Sequence, residues 1–205
     1  MADDFFNIAQ RSDDDMVAGF RWTGRSVIYD TSGVSMALAC IYRGRDSAAR
    51  RLIEAGHRFG LHEAAALGDA IRLATVLDTA PWSVDLLSSD GWSALHHAAF
   101  FGRPEAARVL LARGAEAALW SRSFERNLPI HSAAAGRNHD IAILDILIPA
   151  TGDIDAIQDG GYSALLIAAS LGKRAWVERL VQAGADAERR TKDGKGVADL
   201  LPQPN

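Results

Sequence analysis

The residues best suited to metal binding or catalysis are four histidines in the middle of the chain: His62, His96, His97 and His131. Three imidazoles that converge on one ion at about 2.0–2.1 Å could bind a metal such as zinc. Glu63, beside His62, is interpreted as an acid at a helix N-terminus rather than as a general base. The sequence contains no Gly-x-Ser-x-Gly elbow, no phosphate-binding loop and no His-Glu-x-x-His motif. We therefore expect no catalysis from this chain.

The histidines belong to a segment that recurs. The segments 93–99 (SALHHAA), 128–134 (LPIHSAA) and 163–169 (SALLIAA) begin 35 residues apart, and each precedes an apolar helix and a Gly-acid element. Equivalent residues of stacked helical units lie roughly 8–10 Å apart, the distance between packed helices. The histidines should then form a ladder in which each imidazole bonds to nearby backbone. We expect neither a metal site nor a cofactor.

Further copies extend the pattern in both directions. One unit begins at 33–41 (GVSMALACI) and the next at 61–65 (LHEAA). The step between their equivalent residues, from Leu38 to His62, is only 24 residues, as if the hairpin of the second unit were missing. A last partial unit covers 193–201. Ser35, Ser93 and Ser163 stand where a side-chain oxygen caps a helix. In the fourth unit Arg137 replaces the glycine between the helices, and the long apolar run 141–148 predicts an irregular helix end before Pro149.

A period of about 33 residues with this signature resembles the ankyrin repeat, whose pattern is Gly-x-Thr-Pro-Leu-His-x-Ala-Ala-x-x-Gly-His. The resemblance implies an all-α solenoid of stacked helix-turn-helix units with short β-hairpin loops. It covers residues 30–205, as about five repeats and a partial C-terminal cap. Residues 1–29 do not repeat. Their apolar residues, Phe5, Phe6, Ile8, Met16, Phe20 and Trp22, suit either a cap on the end of the stack or a latch in the binding groove.

Composition narrows the class of protein. The chain has 205 residues, 48% of them hydrophobic, a net charge of −4 and a single cysteine, Cys40. One cysteine excludes an internal disulfide and suits a reducing compartment, so a cytoplasmic location is expected. No apolar stretch reaches the length of a membrane span. The negative net charge argues against general affinity for nucleic acid, because such binding neutralises phosphates with cations.

The resemblance also implies which residues meet a partner, because the variable positions of the family map onto this chain. Large aromatics occupy several of these positions, and aromatics and arginine are the residue types that anchor binding hot spots. Trp92 and Phe101 are the expected main contacts, Phe100 is the ring expected to be most packed, and some rings could fold inward. Arg43, Arg122 and Arg126 could select acidic groups. The expected partner-binding residues are Tyr42, Arg43, Trp92, Phe100, Phe101, Phe124, Asn127, Tyr162 and Leu171.

These observations predict a monomeric, non-catalytic scaffold or adaptor that binds another protein through its concave face. Two alternatives stay open. A nucleic-acid-associated regulator would use the terminal basic clusters, which comprise Arg43, Arg45, Arg50 and Arg51 at one end and Arg189, Arg190, Lys192 and Lys195 at the other. A self-assembling structural unit would join copies through residues 1–29 or through the aromatic patch.

Overall fold

The computed structural model describes residues 12–23, 25, 29, 33–136 and 140–202. Residues 1–11, with Phe5, Phe6 and Ile8, lie outside the described residues, as does Arg137, and the side chain of Trp22 is not described either. Within the described ranges the chain forms twelve α-helices and a short 3-10 helix, Pro81–Ser83. The helices are α1 (Asp13–Thr23), α2 (Met36–Tyr42), α3 (Asp46–Glu54), α4 (Leu61–Leu67), α5 (Ala70–Thr79), α6 (Ala94–Phe100), α7 (Pro104–Ala112), α8 (Pro129–Ala135), α9 (Ala142–Leu147), α10 (Ala164–Ser170), α11 (Arg174–Gln182) and α12 (Val197–Leu200).

Five antiparallel helix pairs follow one another and define repeats 1 to 5: α2–α3, α4–α5, α6–α7, α8–α9 and α10–α11. The first helices pack in chain order into one layer that ends on α12, and α5, α7, α9 and α11 pack into a second layer. One repeat cannot bury its own apolar faces, so adjacent repeats share a continuous core. The predicted all-α repeat solenoid is confirmed.

The helix starts follow local sequence rules. The side-chain oxygens of Ser35, Ser93 and Ser163 each accept a hydrogen bond from the backbone N–H three residues later, as predicted. Pro129 takes the first position of α8, where its missing N–H does no harm. The predicted irregular end of the fourth repeat is also present. After α9 the backbone N–H groups of Ala150 and Thr151 both bond to the Leu147 carbonyl.

The loops between repeats are turns rather than hairpins with strands. Three of them close through a backbone bond between residues four apart, Ser88 to Trp92, Gln158 to Tyr162, and Thr191 to Lys195. In the described residues only two isolated antiparallel bridges occur, Tyr29 with Ser35 and Leu87 with Ser93. The hairpins of the sequence prediction are therefore reduced to tight turns, because too few residues flank each turn to pair as strands.

Repeat 2 lacks its hairpin, as the short step in the sequence predicted. Only residues 55–60 connect α3 to α4. The buried core divides at this place into a small cluster of α1, α2, α3 and the end of α4, and a large cluster that continues through the remaining repeats. Phe59, from the short connection, packs against both clusters. Repeat 1 therefore joins the stack at a seam.

Helix α1 packs on repeat 1 through its apolar face. Met16, Val17 and Phe20 are buried in the same cluster as Leu52 of α3, and the Phe20 ring lies 5.2 Å from that of His57. At the start of α1, Asp13 accepts a 2.5 Å hydrogen bond from Arg45, which lowers the pKa of the Asp13 carboxyl. This packing supports the cap hypothesis for residues 13–23, and the division of the chain at residue 29 stays a prediction.

We expect Phe20→Ala to lower the free energy of unfolding by about 3 kcal/mol, because it leaves a cavity against repeat 1. Phe20 is only 4% exposed. Urea unfolding followed by circular dichroism measures the change, with Ala18→Ser on the exposed side of α1 as the matched control. A Phe20→Ala protein as stable as the control would show that α1 does not cap the stack.

Candidate partner-binding surface

Three of the histidines connect neighbouring repeats through their rings, as predicted. In each, Nε2 lies within hydrogen-bond distance of a backbone carbonyl in the next loop: 2.9 Å for His62 and Leu86, 2.9 Å for His96 and Asn127, and 2.8 Å for His131 and Ala156. Nδ1 of His96 and of His131 accepts from the backbone N–H of the residue three positions earlier. Nδ1 therefore carries no proton, and Nε2–H donates to the carbonyl.

Burial keeps these imidazoles neutral. It lowers the pKa of His96 to about 4, and it also lowers the pKa of His62 and of His131. In His96 and His131 both nitrogens of the neutral ring are bonded to backbone, so these rings have no lone pair left for a metal. No group of three or more metal-ligating side chains occurs in the part of the chain that the structure describes.

Four aromatic residues from repeats 1 and 3 form one packed cluster, which we call the aromatic cluster: Tyr42, Trp92, Phe100 and Phe101. The Trp92 and Phe100 rings meet edge to face at 5.3 Å, and the Phe100 and Phe101 rings do so at 5.1 Å. All four side chains are partly buried. The sequence left open whether such rings lie at the surface or fold inward. Here each ring packs against its neighbours and also reaches the surface.

A polar group lies beneath the rings. The Tyr42 hydroxyl is 2.5 Å from Asp90 Oδ2 and 3.0 Å from Nε2 of His97, whose Nδ1–H donates to the Ser93 carbonyl. Burial, together with the Asp90 charge, raises the pKa of Tyr42 far above its ordinary value. Burial alone would raise the pKa of Asp90, but the nearby His97 and the hydrogen bonds from Ser88 and Tyr42 outweigh it and lower that pKa. Asp90 is thus an ionised carboxylate held by donors of the protein.

The missing hairpin of repeat 2 is what brings these groups together. Because no loop of repeat 2 stands between them, the loop of repeat 3 contacts repeat 1 directly. Ser89 Oγ donates to the Gly33 carbonyl at 2.7 Å, and Tyr42 bonds to Asp90. A surface cavity of about 420 Å³ opens at this junction. We call it the junction pocket; its lining includes Val34, Tyr42, Arg43, Asp90, Trp92 and Phe100.

The loop between repeats 3 and 4 projects beside the junction pocket. It closes between Ser121 and Asn127, two residues later than the other turns, and its tip residue Phe124 is 99% exposed. Arg126 has φ of +44°, at the position where the other turns have a left-handed glycine such as Gly91. A non-glycine residue there costs about 1 kcal/mol or more. The Arg126 guanidinium lies over the Trp120 ring at 5.6 Å. The side chain of the strained residue therefore makes a contact that stabilises the loop.

Bonds to the loops on both sides fix this projection in place. The Arg122 N–H donates to the Gly91 carbonyl at 2.8 Å, and the Asp159 N–H donates to the Glu125 carbonyl at 3.0 Å. Phe124 is therefore exposed on a loop that is hydrogen-bonded to the loops on both sides of it.

Residues 36–121 match the family model for ankyrin repeats, with three copies. These residues are therefore ankyrin repeats. Ankyrin repeats are generally protein–protein interaction modules, and the family is typically non-catalytic. The helix pairs α8–α9 and α10–α11 continue the same architecture beyond the matched residues. No helix among the described residues of the chain is long and apolar enough to cross a membrane.

One predicted partner contact does not fit its position in the structure. Asn127 is only 7% exposed, and its carbonyl accepts the hydrogen bond from His96. It supports the loop from within, so its assignment to the partner-binding surface is corrected to a structural role. The remaining predicted residues keep some surface. Tyr162 is partly buried where it closes the turn from Gln158, and Leu171 is 52% exposed just after α10.

Two features of the surface escaped sequence reasoning. His97 follows the histidine of the repeat pattern and carried no signal of its own, yet it is the buried partner of Tyr42. Gly136 occupies the repeat position that Phe101 and Leu171 occupy in repeats 3 and 5, but it is buried, with its backbone against that of Phe100. A glycine in place of the side chains found there in other repeats, such as Phe101 or Leu171, was the available clue.

Four of the eight cations in the terminal basic clusters, Arg45, Arg51, Arg189 and Arg190, pair with acids among the described residues. Arg51 bonds to Asp14 of α1, as Arg45 does to Asp13. At the other end Arg190 lies 3.6 Å from Asp199, and Lys192 donates to the Asp159 carbonyl. Cations already engaged by carboxylates have less charge to offer to phosphates. Arg43, which lines the junction pocket, has no carboxylate within ion-pair distance in the described residues.

Proposed function

We propose that this ankyrin repeat protein is a non-catalytic scaffold or adaptor that binds another protein through the face formed by its loops and first helices. The observation that carries the proposal is the junction pocket beside the aromatic cluster, with the exposed Phe124 on the next loop. Aromatic residues with arginine at one place are typical of binding hot spots. A surface built on stacked, packed helices also loses little conformational entropy when a partner binds.

The proposed face comprises Tyr42, Arg43, Trp92, Phe100, Phe101, Phe124, Tyr162 and Leu171. These residues come from the first helices and the loops of repeats 1, 3, 4 and 5, so a partner would lie across the stack. The ion pairs within the terminal basic clusters favour a protein partner over nucleic acid. A cytoplasmic location belongs to the proposal and rests on Cys40, a free, buried thiol whose pKa burial raises to about 11.

A photo-crosslinking amino acid placed at exposed positions tests this proposal without disturbing the core. Phe124 and Leu171 lie on the proposed face, and Ile71 and Trp82 are matched exposed apolar residues of repeat 2, on α5 and the 3-10 turn after it. In lysate of the producing cells, we expect one protein to crosslink from positions 124 and 171 and not from 71 and 82. Each substituted protein must first unfold at the same temperature as the wild type.

The opposite pattern, crosslinks from positions 71 and 82 alone, would place binding on the second-helix side and contradict the proposed face. Crosslinks between copies of the chain, with a mass in light scattering that rises with concentration, would instead establish self-assembly. Crosslinks to nucleic acid that disappear as salt rises would establish the regulator alternative.

A further inference from the structure

We infer that the junction pocket binds a large apolar side chain of a partner peptide, and that Arg43 pairs with a carboxylate close to it in that peptide. This inference rests on the proposed function and names the chemistry of the partner. The inference starts from the position of the pocket, which lies where repeat 2 has no hairpin.

The walls of the pocket are mainly apolar. Val34 and Ala39 are buried beneath it, and the rings of Tyr42, Trp92 and Phe100 surround it. The three rings lie at 65–80° to one another, so they form a corner rather than a flat patch. An apolar side chain seated in such a corner removes apolar surface on several sides from water. A volume of about 420 Å³ lies within the range of ligand pockets.

The charges around the pocket differ in how far they are already satisfied. Asp90 accepts hydrogen bonds from the hydroxyls of Tyr42 and Ser88 and from the Trp92 N–H at 3.4 Å, and its Oδ2 lies 3.7 Å from His97 Nε2. Its oxygens have little capacity left for a ligand. The carboxylate is therefore part of the pocket floor.

Arg43 is in the opposite situation. Its side chain is exposed at the rim, and its Nη1 donates one 2.9 Å bond to the Ala39 carbonyl, which orients the guanidinium. The described residues place no carboxylate within ion-pair distance of it. A guanidinium has five N–H donors and bonds a carboxylate through two of them. The charge that the pocket offers to a ligand is thus positive, which selects an acidic partner.

The geometry of an extended peptide suggests the spacing. Alternate side chains of a strand point to the same side and lie roughly 7 Å apart. A peptide that places an apolar residue in the corner therefore presents the residue two positions away to the rim. The expected motif is a large apolar residue followed or preceded, at the second position, by Asp or Glu.

Selection from a displayed library of random linear peptides tests the inference on the full-length protein. We expect enrichment of peptides with the apolar–acid spacing. Such peptides, labelled and followed by fluorescence anisotropy, should bind Arg43→Glu about 30-fold more weakly than wild type, the smallest loss that counts as a hot spot. Arg50→Glu, the same charge change on exposed α3, should leave the Kd within about twofold. Replacing the acid of the peptide with Lys should restore binding to Arg43→Glu.

Three results would overturn the inference. Enriched peptides with Lys or Arg beside the apolar residue would mean that the rings and Asp90 select a cation. Peptides that bind wild type and Arg43→Glu equally would bind elsewhere, and an absence of enrichment would mean that the pocket accepts no linear peptide. None of these affects the crosslinking result from Phe124 and Leu171, so the proposed function is judged separately.

Discussion

The Gly136→Ala protein is expected to lose about 3 kcal/mol of its free energy of unfolding, because the added methyl group has no room. A Cβ atom at this position would lie 2.1 Å from the carbonyl oxygen of Phe100 and 2.9 Å from its carbonyl carbon. Both are backbone atoms and cannot rotate away. The φ angle of Gly136 is −59°, so the cost comes from the close approach of repeats 3 and 4 and not from backbone conformation.

Gly136 cannot move aside to relieve the overlap. Its N–H bonds to the carbonyls of Ser132 and Ala133, and its own carbonyl accepts a hydrogen bond from the buried ammonium group of Lys173. The added methyl group should therefore displace Phe100, whose ring lines the junction pocket. We expect weaker binding of the selected peptides together with the loss of stability.

Urea unfolding measures the effect, with Gly160→Ala as the control. The nearest atom to a Cβ there would be the amide nitrogen of the Gln158 side chain, at 3.2 Å, and that side chain can shift. Equal stability of the two variants would show that the packing of α8 against the end of α6 is looser than the structure indicates.

Acidification is expected to destabilise the protein mainly through its buried histidines. The pKa of His96 is about 4 in the folded protein against 6.5 for an ordinary histidine, so the unfolded chain binds the proton more readily. Stability is fully present above pH 6.5 and is lost as the pH falls through 6.5 toward 4. Between pH 7.5 and pH 5, His96 alone should remove roughly 2 kcal/mol from the free energy of unfolding.

The structural reason is the bonding of Nδ1. Protonation would add a hydrogen to the nitrogen that already accepts from the Ser93 N–H, and two donors would then face each other in a buried site. The lowered pKa values of His62 and His131 act in the same direction.

The chain supplies its own comparison for this experiment. Repeats 1 and 5 have leucine at the equivalent position, Leu38 and Leu166, and both side chains are buried. Between pH 7.5 and pH 5, we expect the free energy of unfolding of His96→Leu to fall by roughly 2 kcal/mol less than that of the wild type, whatever its stability at neutral pH. A loss identical to that of the wild type in urea unfolding at both pH values would mean that His96 takes up its proton without cost.

The amino-acid sequence by itself determined the repeats and much of their local structure. The 35-residue spacing, the serine caps and the ladder of histidines are all present as predicted, because each depends on residues close together in the chain or on its nearest neighbouring repeat. The short step before His62 also predicted the missing hairpin, since a loop needs residues to form it.

Only the tertiary structure decided what that missing hairpin does. It lets the loop that carries Asp90 and Trp92 reach Tyr42, 48 residues from Asp90 in the chain, and so produces a pocket that local patterns do not encode. The sequence also did not determine which loop side chains are buried. Phe124 is fully exposed and Asn127, three residues later, is buried, because the turn of the longer loop points one outward and the other toward His96. Which side chains face water depends on how whole repeats pack, and that packing is a property of the assembled stack.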